Sequence, residues 1–276
     1  MIAWSRGPGR DSVTVRLEAV SKSFGAKQAV QDVSLSLFGG EVFAFLGPNG
    51  AGKTTTLRMT CGLLRPDTGA VEVCGLSMGT DARDAKQLIA YLPDQPYLYD
   101  KLTGREFVEF TRELYRIPND VAQRRLAELA RRLDMDSFID RLTEHYSHGM
   151  KQKVALAAAL IHAPQVLVVD EPMVGLDPRT IRVMKTIFRE IADAGGTVFM
   201  STHSLDVAEV LADRIGILNG GRLVALGTMA ELRAQSSGSQ RLEDIFLQLT
   251  NAAGDSLDDA GRAAMRDSAD LPRHPA

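Results

Sequence analysis

The segment Gly47-Pro48-Asn49-Gly50-Ala51-Gly52-Lys53-Thr54 has the residue types and spacing of a phosphate loop. Its glycines allow successive backbone N–H groups to turn inward as an anion nest, and a helix opening at its end adds the positive pole of its dipole. In such a loop Lys53 is expected to reach the β- and γ-phosphates of a nucleotide, and Thr54 to offer its hydroxyl to Mg²⁺. Thr55 is expected to hydrogen-bond a phosphate nearer the sugar. The alternative, a chance match in a glycine-bearing turn, is opposed by context. The nearly all-apolar run from Glu41 to Leu46 reads as a buried strand before the loop, and the pattern turns helical from Gly52 to Leu64 after it.

Val166-Leu167-Val168-Val169-Asp170-Glu171 is an apolar strand ending in two carboxylates. In an open α/β sheet such an end lies at the carboxyl edge, beside the phosphate loop. Asp170 is the expected holder of the magnesium shell, and Glu171, one residue further, the expected partner of the attacking water. Taken alone, Asp170-Glu171-Pro172 could instead merely cap the next segment, an alternative that the phosphate loop opposes. His203 follows the strand pattern Thr197 to Ser201 and falls at the same sheet edge, within reach of a γ-phosphate. Away from such an edge, a lone histidine is more often structural.

These groups need a scaffold, and the chain supplies one in order. Val13 to Leu17 and Val33 to Leu37 are β-rich, and Ala70 to Cys74 is a further strand beyond the phosphate-loop helix. From about Thr103 to Ile161 the period becomes 3.6, opened by a capping box of Thr103 and Glu106. A second helix there gathers Leu126, Leu129 and Leu133 on one face and turns Arg124, Arg125, Arg131 and Arg132 toward solvent. The β-pattern returns at Val166 to Asp170, Thr197 to Ser201 and Arg214 to Leu218, with helical segments between, which implies parallel strands joined by crossover helices. Asn219-Gly220-Gly221 reads as a hairpin turn into Leu223 to Ala225. Asn251 to Ala276, nearly without large apolar residues, is expected to be a mobile tail.

Composition narrows the classes. Of 276 residues, 45% are hydrophobic and 24% charged, the profile of an ordinary globular protein. A net charge of −3 provides no global field for nucleic acid. The longest strictly apolar run, Val154 to Ile161, falls far short of a membrane span. Arg6 and Arg10 are followed by no apolar stretch of the kind a secretory signal needs, so the cytoplasm is expected. Cys61 and Cys74 lack the spacing and histidine neighbours of a zinc site and read as small buried thiols.

In this order, the phosphate loop, the Asp170-Glu171 strand end, Gly175-Leu176-Asp177 and Ser201-Thr202-His203 resemble the ATP-binding subunit of an ABC transporter, over about Val13 to Thr250. The resemblance implies an α/β fold: a RecA-like P-loop NTPase core with an antiparallel β subdomain and an inserted α-helical subdomain at about 95–164. The domain would span 13–250, between an N-terminal extension over 1–12 and a disordered C-terminal tail over 251–276. Tyr146-Ser147-His148-Gly149-Met150 occupies the place of the family signature LSGGQ and keeps its Ser and second Gly. By resemblance, Ser147 and Gly149 of one subunit close on the γ-phosphate held by a second ATP-binding subunit, and Asp177 joins the cofactor-binding set. Phe24 falls where the family stacks an aromatic on adenine, a contact that needs only a π-face. Asp94 replaces the usual Gln at the loop that meets magnesium and the membrane partner, and a carboxylate can still bind the metal.

The resemblance therefore implies ATP and Mg²⁺ as cofactors and hydrolysis coupled to transport through a separate transmembrane permease. The place would be the cytoplasmic face of the plasma membrane, with a homodimer expected and no nucleic acid partner. His148 and Met150 resemble the signature variant common in drug- and antibiotic-export branches, and Leu242-Glu243-Asp244-Ile245-Phe246-Leu247 is similar to the closing helix of daunorubicin-resistance-type exporter subunits. A soluble ABC ATPase acting on nucleic acid or ribosomes would instead need two such domains or a long coiled-coil insertion. A phosphate-loop small-molecule kinase would explain Lys53 and Asp170 but leave Ser147-His148-Gly149 without a role.

Overall fold

A computed structural model describes residues 7, 9, 11–235 and 242–248. The expectation for 251–276 lies outside the described residues. Of the 1–12 segment, Gly7 donates its N–H to the carbonyl of Ala194, and Gly39 donates to Ser12.

Two sheets form the frame. A four-stranded antiparallel sheet runs β2 (Lys27–Phe38), β1 (Val13–Phe24), β4 (Thr68–Val73) and β5 (Leu76–Ser77). The second sheet has six strands in the order β10 (Arg222–Gly227), β9 (Arg214–Asn219), β3 (Val42–Leu46), β8 (Thr197–Thr202), β7 (Val166–Asp170) and β6 (Ile89–Leu92). Its strands are parallel apart from β10, which returns antiparallel on β9 across the Asn219-Gly220-Gly221 turn.

A strand buried on both faces must be apolar throughout, and β3 and β7 are. Phe43 and Phe45 point to the antiparallel sheet, where they meet Phe199 with ring centroids 5.6 and 5.7 Å away. Val42, Ala44 and Leu46 point to the opposite face, which is covered by α5 (His148–Leu160), α6 (Pro178–Asp193) and α7 (Leu205–Leu211). Between β6 and β7 run α3 (Gly104–Leu114), α4 (Asn119–Arg132) and α5. The Thr103/Glu106 capping box is present, each side chain accepting from the other residue's backbone N–H. The helical segment 242–248 sends Leu242 and Ile245 into the core.

Two sequence expectations need correction, and two elements are new. Leu126, Leu129 and Leu133 are buried as expected, but only Arg124 and Arg131 of the arginine face are exposed. Arg132 makes a two-pronged contact with Glu190 at 2.8 and 2.9 Å, and Arg125 donates to the Ile161 carbonyl at 2.7 Å. The planar guanidinium ties the inserted helices to the core here instead of facing water. Cys74 is only half-buried. The strand β6 and the helix α2 (Ala82–Leu88) were not anticipated, because Ala85 and the short run Ile89-Ala90-Tyr91-Leu92 are too brief to show a period.

His162, two residues beyond α5, stacks on Tyr115 with centroids 3.8 Å apart, and burial pushes its imidazole from 6.5 down to about 4. Between those values the unfolded chain binds the proton that the folded chain refuses, so stability falls as pH drops from 6.5 toward 4. The full loss is on the order of 3 kcal/mol. His162→Phe keeps the stack, so on acidification from about pH 7 to about pH 5 its melting temperature should fall less than that of the wild type. Equal falls would assign the acid sensitivity to other groups.

Candidate active site

The register of the parallel strands brings the expected residues together. Leu46 pairs with Thr202, Ser201 with Asp170, and Val169 with Leu92, so the phosphate loop, His203, Glu171 and Asp94 all leave the sheet at one carboxyl edge. Adjacent strands lie about 5 Å apart, which places these groups within a few side-chain lengths of one another.

The loop passes from β3 into α1 (Lys53–Thr60). Gly52 has φ +105°, and a Cβ there would strike the Ala29 carbonyl, so only glycine permits β2 to seat against the loop. Thr56 donates its N–H to Gly52, which leaves the N–H groups of Lys53, Thr54 and Thr55 as the free first turn of the helix. Lys53 is buried, 7% exposed, and its Nζ donates to the carbonyls of Gly47 at 2.6 Å and Pro48 at 3.3 Å. Desolvation pulls its ammonium below the usual lysine range, opposed by the carboxylates of Glu171 and Asp170.

Asp170 ends β7 with both carboxylate oxygens engaged. Ser201 Oγ donates to Oδ1, and Tyr91 OH donates to Oδ2 at 3.5 Å. Burial and the nearby Asp170 raise the Tyr91 phenol to about 12. The next residue, Glu171, adopts φ +48°, a left-handed bend uncommon outside glycine. This bend turns its side chain from the strand toward the loop. Glu171 Oε1 lies 3.7 Å from Lys53 Nζ, and Oε2 lies 2.9 Å from Nδ1 of His203 and accepts the His203 N–H at 3.3 Å. Its own N–H donates to Ser201. A carboxylate held between a buried ammonium and an imidazole, at the mouth of an anion nest, can accept a proton from a water approaching a bound phosphate.

A cleft of about 350 Å³ covers this edge, lined by Phe24, Pro48 to Thr55, Asp94, Asp170 and Glu171, with Lys27 and Ala29 on its β2 side. Phe24 is half-exposed at the tip of the β1–β2 hairpin. Asp94 is fixed through its backbone, whose carbonyl accepts from Gln152 Nε2 at 2.9 Å.

Ser147, Gly149 and Asp177 do not line this cleft. Ser147 is the exposed N-cap of α5 and accepts from the Met150 N–H. A Cβ on Gly149 would touch Leu176, so the signature packs on the Gly175-Leu176 turn. Asp177 caps α6 by accepting from the N–H and hydroxyl of Thr180 at 2.9 and 2.6 Å, which holds its carboxyl below the usual range.

Ser201, Tyr91 and Lys27 went unassigned in the sequence. Ser201 stands in the Ser201-Thr202-His203 motif and Tyr91 three residues before Asp94, but which strands neighbour Asp170 becomes visible only once β6 and β8 flank β7. Lys27 carries no motif signal at all.

The sheet order, the loop and the strand-end carboxylates define a P-loop nucleotide-hydrolysing protein. A family model described as ABC transporter matches residues 30–174. The linearmycin resistance ATP-binding protein of Bacillus subtilis (strain 168) is 36% identical over 236 residues, covering 86% of this chain and 74% of that protein. The daunorubicin/doxorubicin resistance ATP-binding protein of Streptomyces peucetius is 36% identical over 228 residues, 83% of this chain and 69% of that one. A solved structure of an ATP-binding subunit of an ABC transporter superimposes with a TM-score of 0.82 at 32% identity, covering 86% of this chain and 99% of that structure. The chain belongs to the ABC transporter family and is one of its ATP-binding subunits, ATPases coupled to transport. No helix among the described residues is long and apolar enough to cross a membrane. Such subunits work with a transmembrane permease.

Proposed function

We propose that this subunit hydrolyses Mg²⁺-ATP in composite sites of a head-to-tail dimer, at the cytoplasmic face of a membrane, to drive an exporter of drug- or antibiotic-like molecules. The observation that carries the hydrolytic reading is the Glu171 carboxylate held between Lys53 and His203 at the mouth of the phosphate loop. Adenine stacks on Phe24, and the phosphates lie in the loop from Gly47 to Thr55, with Lys53 neutralising their charge. Glu171 takes the proton of the attacking water, and His203, anchored to Glu171 Oε2, orients the γ-phosphate. Thr54 hydroxyl, Asp170 and Asp94 offer the hard oxygens that Mg²⁺ prefers and would hold the ion, which would supply neutralisation of phosphate charge.

The exposed position of Ser147, outside the cleft of its own chain, supports its use by a second subunit. Gln152, in the same helix, holds the backbone of Asp94, so closure on Ser147 and the placement of Asp94 are mechanically linked. Beside the Asp94 loop, Tyr97, Tyr99 and Phe110 expose a cluster of edge-to-face rings, with Tyr97 80% exposed. Exposed aromatics of this kind mark an interface, and we assign this one to the permease. Tyr97→Glu should therefore abolish co-purification with the permease while leaving ATP binding by the soluble subunit intact. Retained co-purification would move the interface elsewhere.

Ser147→Arg tests the composite site. Each subunit should bind ATP as before through Lys53 and Thr54, while the added bulk and charge block closure and turnover. Full turnover by this variant would refute the assignment of Ser147 to the partner's nucleotide. The branch reading rests on the resistance proteins named above, and transport assays with drug-like cargoes check it.

A further inference from the structure

The wall of the cleft between Phe24 and the phosphate loop carries a cation that no motif marks. Lys27 begins β2 and is the direct cross-strand partner of Phe24, so the two side chains leave the hairpin tip together. Ala29 stands two residues on, hence on the same face of the strand, and both line the cleft. The strand is seated on the loop at this point, since the Ala29 carbonyl lies against Gly52 and the Gln31 N–H donates to Gly221 at 2.8 Å. Gly221 in turn donates its N–H to Ala51 of the loop at 3.0 Å. The Lys27 stem therefore leaves a fixed base. Its Nζ reaches over the loop to Gly50, 3.8 Å from where a Cβ would stand on that glycine. Among the described residues Lys27 has no carboxylate partner, whereas Lys22 on the same hairpin is held by Asp67 at 2.6 Å.

We propose that Lys27 is a second cation for the polyphosphate chain of the nucleotide, acting with Lys53 from the opposite wall. The inference rests on the ATP reading of the cleft. A nucleotide with its base at Phe24 and its terminal phosphates on the loop must pass the gap that Lys27 overhangs. Lys53 is buried in the loop floor, and among the residues that line the cleft Lys27 is the one other cation. A lysine suits this place because a compact charge on a flexible stem can follow the phosphates as the base settles.

Calorimetric titration of ATP and ADP, with Mg²⁺ present, tests this on the wild-type chain and four variants. Lys27→Ala and Lys27→Gln remove the charge, and Lys27→Gln keeps most of the stem and its strand contacts. Lys27→Arg restores the charge, and Lys101→Ala removes one from a site 82% exposed and outside the lining of the cleft. For a charge-assisted contact at a partly exposed site, both neutral variants should bind ATP about five- to tenfold more weakly, with Lys27→Arg close to wild type and Lys101→Ala unchanged. An equal loss for ADP places the ammonium on the phosphates that the two nucleotides share, and a loss confined to ATP places it on the γ-phosphate; either supports the proposal. Wild-type affinity in Lys27→Gln, or a loss that arginine does not restore, overturns it. A wild-type chain that fails to bind ATP overturns instead the reading of the cleft on which it stands.

Discussion

Glu171→Gln should bind ATP with near wild-type affinity yet hydrolyse it about two orders of magnitude more slowly, or worse. The amide keeps the length and shape of the side chain and can still hold a water, but it cannot accept that water's proton. The contacts around it favour a clean test. Lys53 Nζ and the His203 N–H both face this carboxylate, so the variant loses one charge but no packing. It gives up the ion pair with Lys53, which relieves the buried ammonium of one partner while its hydrogen bonds to Gly47 and Pro48 remain. Phosphate release under single turnover measures the chemistry apart from product release. A near-normal rate would transfer the role of base to Asp94 or His203.

Lys53→Ala should have the broadest effect of any single substitution. It removes the buried cation at the centre of the loop, and in phosphoryl transfer catalysis is almost wholly positioning and charge stabilisation. Hydrolysis is expected to fall by about a hundredfold or more, with weakened ATP binding alongside. The fold should persist, because the ammonium is held by two loop carbonyls and one carboxylate instead of anchoring the core, and circular dichroism checks this. Wild-type ATPase activity in this variant would remove the phosphate loop from the mechanism.

These two residues were legible in the sequence because each stands at a fixed offset from a glycine pattern or an apolar strand. β3 and β7 could be read for the same reason: strands buried on both faces must be apolar at every position. The Thr103/Glu106 capping box was equally plain, since cap residues act locally. What the sequence hid is set by tertiary neighbours. Tyr91 touches Asp170 because β6 lies beside β7, a pairing of segments far apart in the chain. Arg125 and Arg132 look like a solvated helix face until the core packs against them, and Gln152 looks like any polar helix residue until its amide meets the Asp94 carbonyl. Lys27 reaches the cleft only because the hairpin folds back over the loop.

The composite site is tested most directly by mixing two dead variants. Ser147→Arg subunits keep a sound phosphate loop and lack a usable signature, whereas Lys53→Ala subunits have the reverse defect. In a head-to-tail heterodimer one site inherits both lesions and the other neither. Steady-state phosphate release is to be measured for each variant alone and for the mixture at rising protein concentration, with the permease present to favour dimers. The expected result is little release from either variant alone and partial activity in the mixture that grows with concentration. Full activity from Ser147→Arg alone would show that each subunit hydrolyses ATP without its partner's signature.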